Sequence, residues 1–387
     1  MKQFAAAGFA ARQDDKVPAK GGKSRPALVS RQEKTKMKNE TAYLVDTEKL
    51  EIRDSEMPVV GPDDVLIEVK HVGICGSDVQ FYTDPSFGHM FEPHLPCVLG
   101  HESAGVVKEV GGNVKMLKPG DRVAVEPGVP CGKCEYCLSG KYNLCRDVDF
   151  MACPPWHRAA FSRYISHPAA FCFKLPDNVS TIEGALVEPL AVGLHAVNRS
   201  RAHLGQNAII LGSGCIGLMT LLSLQAVGVT DITVVDVFDN RLEVAKELGA
   251  AHVINASQKD TIEAAKELTG GAGFELVFET AGSKFTTAQT PYIVKAGGVI
   301  VVVGNVHDPV TYDFMEVNSK EVDIMTTFRY RNIYPMAINA IAGGKIDVKK
   351  VATNFMKFQD IQEAFEIAYK QKQTALKVVV EMPENEE

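Results

Sequence analysis

No stretch of the 387-residue chain approaches the roughly 20 uninterrupted apolar residues that a membrane-spanning helix requires. Positive charge is not in excess either: the formal net charge of -7 argues against nucleic acid or an anionic membrane as the main partner. There is no internal repeat, and the start of the chain lacks the apolar core of a secretory signal. Without such a signal, nine cysteines in an odd, unevenly clustered set point to a reducing, cytoplasmic compartment and to metal ligation. Residues 1–36 are short of bulky apolar side chains and carry nine Lys/Arg against Asp14, Asp15 and Glu33. They cannot bury enough surface to order themselves, so a disordered extension is expected, with the folded chain beginning near Met37. The aspartate pair also departs from an acid-poor transit peptide.

The remainder is ordinary in bulk, with 45% hydrophobic and 23% charged residues, and is long enough for two domains with separate cores. From Thr41 to about Val125 the pattern is β-like: Val65–Val69 is rich in β-branched residues, and Gly61-Pro62 and Pro119-Gly120-Asp121 mark turns. After about Leu190 the pattern alternates. Apolar strands at 208–211, 232–236, 275–279 and 299–303 are separated by helix-compatible runs, among them 240–248 with Gly249 as its stop. Such alternation implies an α/β fold with a parallel sheet covered on both faces.

Gly212-Ser213-Gly214-Cys215-Ile216-Gly217 matches G-x-G-x-x-G, and it follows an apolar strand and opens a helix. The first glycine permits the tight turn, the second admits a pyrophosphate near the backbone, and the third lets the helix pack on the sheet. Asp236 ends the next strand, about 20 residues further on, where an acid accepts hydrogen bonds from the adenine ribose. A carboxylate there repels a 2′-phosphate, which favours NAD over NADP, although Arg241 lies near enough to offset it. A second signal is Cys131-x2-Cys134-x2-Cys137-x7-Cys145, with Gly132 and Gly140 letting the loop wrap. Four thiolates at such spacing close a tetrahedral shell, as in a structural zinc site; disulfides or free thiols are the alternatives.

Gly100-His101-Glu102, with Gly105, Gly111 and Val114, and Cys75 in Gly73-Ile74-Cys75-Gly76-Ser77-Asp78, supply an imidazole and a thiolate from separate turns. A catalytic zinc uses three protein ligands and keeps a fourth position open. The segment resembles the zinc signature of medium-chain alcohol dehydrogenases, and the resemblance runs from about Lys38 to about Glu381. Glu188-Pro189 in 188–196, where ordinary alcohol dehydrogenases have a second cysteine ligand, and Phe328-Arg329-Tyr330 with Asn332 and Pro335 resemble the sorbitol (polyol) dehydrogenase branch.

That resemblance implies a doubly wound Rossmann domain at 190–325 and a discontinuous, mostly-β GroES-like catalytic domain at 37–189 and 326–387. It implies two zinc ions per subunit. Cys75, His101 and Glu188 would hold the catalytic one, Glu102 would be a ligand in some states or act through water, and Arg329 and Tyr330 would lie near the substrate. Arg329 is expected to orient Glu188 or a substrate hydroxyl, and His195 to pack on its helix. The implied activity is transfer of a hydride from a secondary alcohol of a polyol to NAD, and the family is commonly dimeric or tetrameric. Zinc acidifies the substrate hydroxyl, and Ser77 is the candidate for the first proton removal, unless its hydroxyl only satisfies a turn.

Two departures bear on substrate. Gln80-Phe81 stands where the polyol branch commonly has His-Tyr, and the cleft loop beginning Phe150-Met151-Ala152 goes on to Trp156-His157-Arg158. An altered polyol, a sugar acid with Arg158 as its partner, a vicinal diol such as 2,3-butanediol, or L-threonine therefore remain as substrates on the same scaffold. A zinc- and NAD-binding protein without turnover would lack a ligand at the open site, and none is missing.

Overall fold

A computed structural model describes residues 38–87, 94–154 and 158–384. The expected disorder of residues 1–36, and Trp156 and His157 of the cleft loop, lie outside the described residues. Among those described, no helix is long and apolar enough to cross a membrane.

One sheet is wholly parallel, with six strands in the order His252–Asn255, Asp231–Asp236, Asn207–Leu211, Phe274–Glu279, Val294–Val302, Asp323–Thr326. Its inner strands read as largely apolar runs because both their faces are buried. Ala208 and Ile210 join one core with Ile232, Val234 and Phe278, whereas Ile209 and Leu211 join another with Val235 and Val277. Helix Cys215–Ala226 leaves the glycine turn, and the expected helix at 240–248 runs Asp239–Glu247.

A second, seven-stranded sheet is built around Asp64–Gly73, which pairs antiparallel with Glu102–Val110, Tyr164–Pro168 and Val378–Glu381. The C-terminal segment thus returns to the first half of the chain: Ile361, Phe365 and Val380 share a core with Val65, Ile67 and Phe81. The first half is not all-β, since helix Gly76–Thr83 interrupts it directly after Cys75. Between the two sheets runs helix Thr181–Ser200, which carries Glu188 and passes through Pro189 without ending. The domain division expected at 189/190 therefore falls inside one continuous helix, whose buried face packs into a core shared by both halves.

Candidate active site and metal centres

The glycine turn has the geometry its sequence calls for. Gly212 sits at φ 106° with Ala281 against it, and a Cβ on Gly217 would fall 1.9 Å from the Gly212 carbonyl oxygen. At Gly214 a Cβ would meet only Arg241, at 3.8 Å, so the backbone there is open to a ligand. Asp236 Oδ2 accepts the Ser213 N–H at 2.7 Å, and Oδ1 accepts those of Val237 and Phe238 at 2.8 and 3.1 Å. Arg241 lies 3.6 Å from Asp236 and donates Nε to the Lys372 carbonyl at 2.9 Å.

The four cysteines at 131, 134, 137 and 145 come together with all sulfurs within 4.8 Å of one another. Gly132 and Gly140 both take positive φ as the loop turns back on itself. All nine cysteines are free thiols, so no disulfide competes for them. Four sulfurs at this separation fit a tetrahedral zinc shell.

The second centre is assembled by Asp78. This buried carboxylate accepts the N–H of Cys75 at 2.9 Å and of Gly100 at 2.9 Å, and stands 3.6 Å from His101 Nδ1. One side chain thus ties the two turns that carry the thiol and the imidazole. Helix Gly76–Thr83 starts here because Asp78 returns to cap the Cys75 N–H. Candidate ligand atoms of Cys75, His101 and Glu102 lie within 4.8 Å of one another, and thiolate, imidazole and carboxylate are a donor set that suits zinc. Burial alone would push His101 down, but the Asp78 and Cys75 charges override it and raise the ring well above its ordinary value. A pocket that collects negative charge in this way favours a bound cation.

Glu188 faces the same centre but is not part of that threefold cluster; its Oε1 accepts the Tyr330 hydroxyl at 2.8 Å. Burial pushes its carboxyl up to about 7, opposed by His101 and Tyr330 and assisted by Glu102. Glu102 is itself held by Lys377, whose ammonium lies 2.7 and 2.8 Å from its two oxygens and also donates to the Ile74 carbonyl at 2.9 Å. Cys215, at the start of the glycine-turn helix, is pushed up to about 12 by burial and feels the charges of Lys377, Glu102, Cys75 and Glu188. Helix Thr181–Ser200, which carries Glu188, packs so closely on the glycine-turn helix that a Cβ on Gly193 would fall 2.7 Å from the Met219 backbone, which sets the metal cluster beside the cofactor turn.

Arg329 does not reach Glu188; Tyr330 takes that role. The guanidinium lies 4.7 Å from the Phe150 ring and 4.6 Å from that of Phe328, and Phe150 in turn lies 5.5 Å from the His101 ring. Its Nη1 is buried with no hydrogen-bond partner among the described residues. Arg158, by contrast, is paired with Asp149. Ser77 is half-buried in the first turn of the helix after Cys75. Tyr82 cannot replace the tyrosine missing at Phe81, because it is fully buried and its hydroxyl accepts from Gln362 at 2.8 Å. His195 is buried in its helix, and burial, with Arg331 and Arg199 adding to it, lowers it to about 4.

Sequence reasoning passed over Asp78 and Lys377. The first carried a signal, an acid three residues after a helix-opening cysteine. The second carried only the oddity of a lysine heading an apolar strand, since lysine is almost never fully buried unless paired.

Comparison with known proteins shows the family. Residues 61–177 match the family described as alcohol dehydrogenase GroES-like domain, and 215–343 match zinc-binding dehydrogenase. L-Idonate 5-dehydrogenase of Vitis vinifera is 41% identical over 90% of this chain and 95% of its own. Sorbitol dehydrogenase of Bacillus subtilis is 40% identical over 88% and 96%. The crystal structure of an Escherichia coli oxidoreductase of unknown specificity superposes with a TM-score of 0.86 at 47% identity, covering 90% of this chain and 100% of that one. The chain belongs to the zinc-dependent medium-chain alcohol dehydrogenases, in their sorbitol dehydrogenase branch, and is an enzyme of that class.

Proposed function

We propose that the chain oxidises a secondary alcohol of a polyol of the sorbitol, xylitol or arabinitol type to the ketose, passing the hydride to NAD. The observation that carries this is the cluster of Cys75, His101 and Glu102 within 4.8 Å, set beside the glycine turn. Cys75, His101 and Glu102 would hold the catalytic zinc with Glu188 in reach, and the four-cysteine loop a structural one. Zinc bound there supplies Lewis acidity, which lowers the pKa of a substrate hydroxyl.

The protein's own groups do the remainder. Asp78 fixes the thiol and imidazole, Lys377 balances Glu102, and Tyr330 holds Glu188. Ser77 is assigned the first acceptance of the hydroxyl proton, and Arg329 the orientation of a second substrate hydroxyl. The N-terminus of Cys215–Ala226, with Gly212, Gly214, Ile216 and Gly217, would receive the pyrophosphate. Asp236 selects NAD, since Arg241 is engaged by Asp236 and Lys372 and is not free for a 2′-phosphate. We assign the catalytic unit to 37–189 and 326–387 and the cofactor unit to 190–325, and place the enzyme in the cytoplasm.

One observation favours a second substrate class. The unpartnered Arg329 Nη1 suits a carboxylate, as in an idonate- or galactonate-like sugar acid. NADH formation at alkaline pH by zinc-loaded protein, over sorbitol, xylitol, arabinitol, galactitol, a sugar acid, L-threonine and 2,3-butanediol, decides between them. A preference for one polyol supports the proposal. Turnover confined to the sugar acid, threonine or the butanediol rejects the polyol, and no turnover on any of them overturns it.

A further inference from the structure

The four-cysteine loop does more than close on itself: it grips the segment that carries Arg329 and Tyr330. The Tyr142 hydroxyl donates to Glu126 Oε1 at 2.8 Å and accepts the Asn332 N–H at 2.7 Å. Buried Asn143 donates Nδ2 to the Phe328 carbonyl at 2.9 Å and accepts from Arg331 Nη1 at 3.0 Å. Asn332 closes the contact by donating Nδ2 to the Gly140 carbonyl at 3.3 Å. On the loop side the contacts come from Gly140, Tyr142 and Asn143, in the stretch between Cys137 and Cys145, and Glu126 is the buried floor beneath Tyr142.

The gripped turn needs holding. Arg329 and Asn332 are both non-glycine residues at positive φ, 54° and 55°. Side chains with a Cβ rarely adopt that region, and such backbone persists where its surroundings over-determine it. What the turn delivers is one hydroxyl and one guanidinium. Tyr330 reaches Glu188 at 2.8 Å, and Arg329 lies against Phe150, whose ring touches that of His101.

We infer that Tyr142 and Asn143 are positioning residues for the alcohol site. They lock the 328–332 turn in its left-handed conformation, and so make the placement of Arg329 and Tyr330 depend on the folded four-cysteine loop. The inference rests on the alcohol site proposed above. The loop would then serve turnover as well as stability, by fixing groups far from it in sequence.

The test compares wild type with Asn143→Ala and Tyr142→Phe, all zinc-loaded. The readouts are hydrogen–deuterium exchange of the 326–333 peptide, KM for the best alcohol, NADH affinity and zinc per chain. Exchange should rise in that peptide, and alcohol KM should rise roughly tenfold, while NADH affinity and zinc content hold. Asn143→Asp, which keeps the acceptor for Arg331, should recover part of the loss. Unchanged exchange in 326–333, or an unchanged alcohol KM, overturns the inference. So does exchange that rises throughout the protein with NADH affinity falling in step, the mark of general loosening. Should Asn143→Ala not fold, Tyr142→Phe removes only a hydroxyl and carries the test alone. If the wild type turns over no alcohol, the alcohol-site proposal has failed, and exchange in the turn still decides whether the clamp exists.

Discussion

Asp78 shows how much of this site depends on one buried acid. It satisfies two backbone donors from separate turns and faces His101, so removing it loosens the thiol and the imidazole together. Partners of metal ligands typically matter by roughly 10- to 100-fold in affinity or activity. Asp78→Ala should therefore lower turnover by that order and drop bound zinc from about two to about one per chain; metal analysis beside a rate assay checks it. Retention of both zincs with full turnover would show that the two turns hold themselves. A different buried group sets the acid stability. His167 is fully buried, with Nε2 2.9 Å from the Glu126 carbonyl, and burial, with Arg158 adding to it, pushes the ring down to about 3. The folded state thus binds its proton less readily than the unfolded chain, so this stability is whole above about pH 6.5 and is lost as pH falls towards 3. Glu126, raised to about 7 by burial, works the opposite way, losing stability as pH rises. A comparison of wild type with His167→Gln isolates the histidine. Between pH 7.5 and 5, denaturant unfolding should show the wild type losing about 1 to 2 kcal/mol more than the variant. Equal losses would mean the ring is not held neutral.

Elements differed in how openly the sequence declared them. The inner parallel strands were plain because burial on both faces leaves 208–211 wholly apolar and 232–235 apolar but for Thr233. The helix after Cys75 was hidden: Gly76–Thr83 has β-branched and aromatic residues and no helical apolar period, and it forms because Asp78 caps it. The family resemblance put the domain division at 189/190, yet the long helix runs on through Pro189, since its buried neighbours from Gly184 to Ala191 hold it. The four-cysteine motif was legible from spacing and the Cys75 and His101 turns from the family resemblance, whereas the Lys377–Glu102 pair joins positions 275 residues apart, which no local pattern reveals. The edge strand Asp323–Thr326 carries a consequence of its own. It ends the parallel sheet with an exposed Ile324, and Phe285, Phe314 and Met315 are 71%, 69% and 76% exposed in the same half of the molecule. Open edges and exposed apolar side chains invite association. A homo-oligomer is the expected outcome, with a light-scattering mass two or four times the 42.0 kDa chain. A monomer mass at working concentration would contradict it.

For the whole molecule, the two halves meet where chemistry needs them. The C-terminal strand brings Lys377 to Glu102, the long central helix brings Glu188 to Tyr330, and the glycine-turn helix begins beside both. We propose that substrate choice turns on Gln80-Phe81 and on the loop that goes on to Trp156-His157-Arg158, where this chain departs from the polyol pattern. The metal-dependent hydride transfer we propose would rest on Cys75, His101 and Glu102, where it keeps that pattern. The decisive measurement is the rate of NADH formation from the best polyol by protein stripped of the zinc at Cys75, His101 and Glu102 and then reloaded. Activity should vanish on stripping, while the four-cysteine zinc stays bound, and return in proportion to occupancy of the second site. Full turnover by protein holding one zinc per chain, or none restored on reloading, would contradict the assignment of that cluster as the catalytic centre.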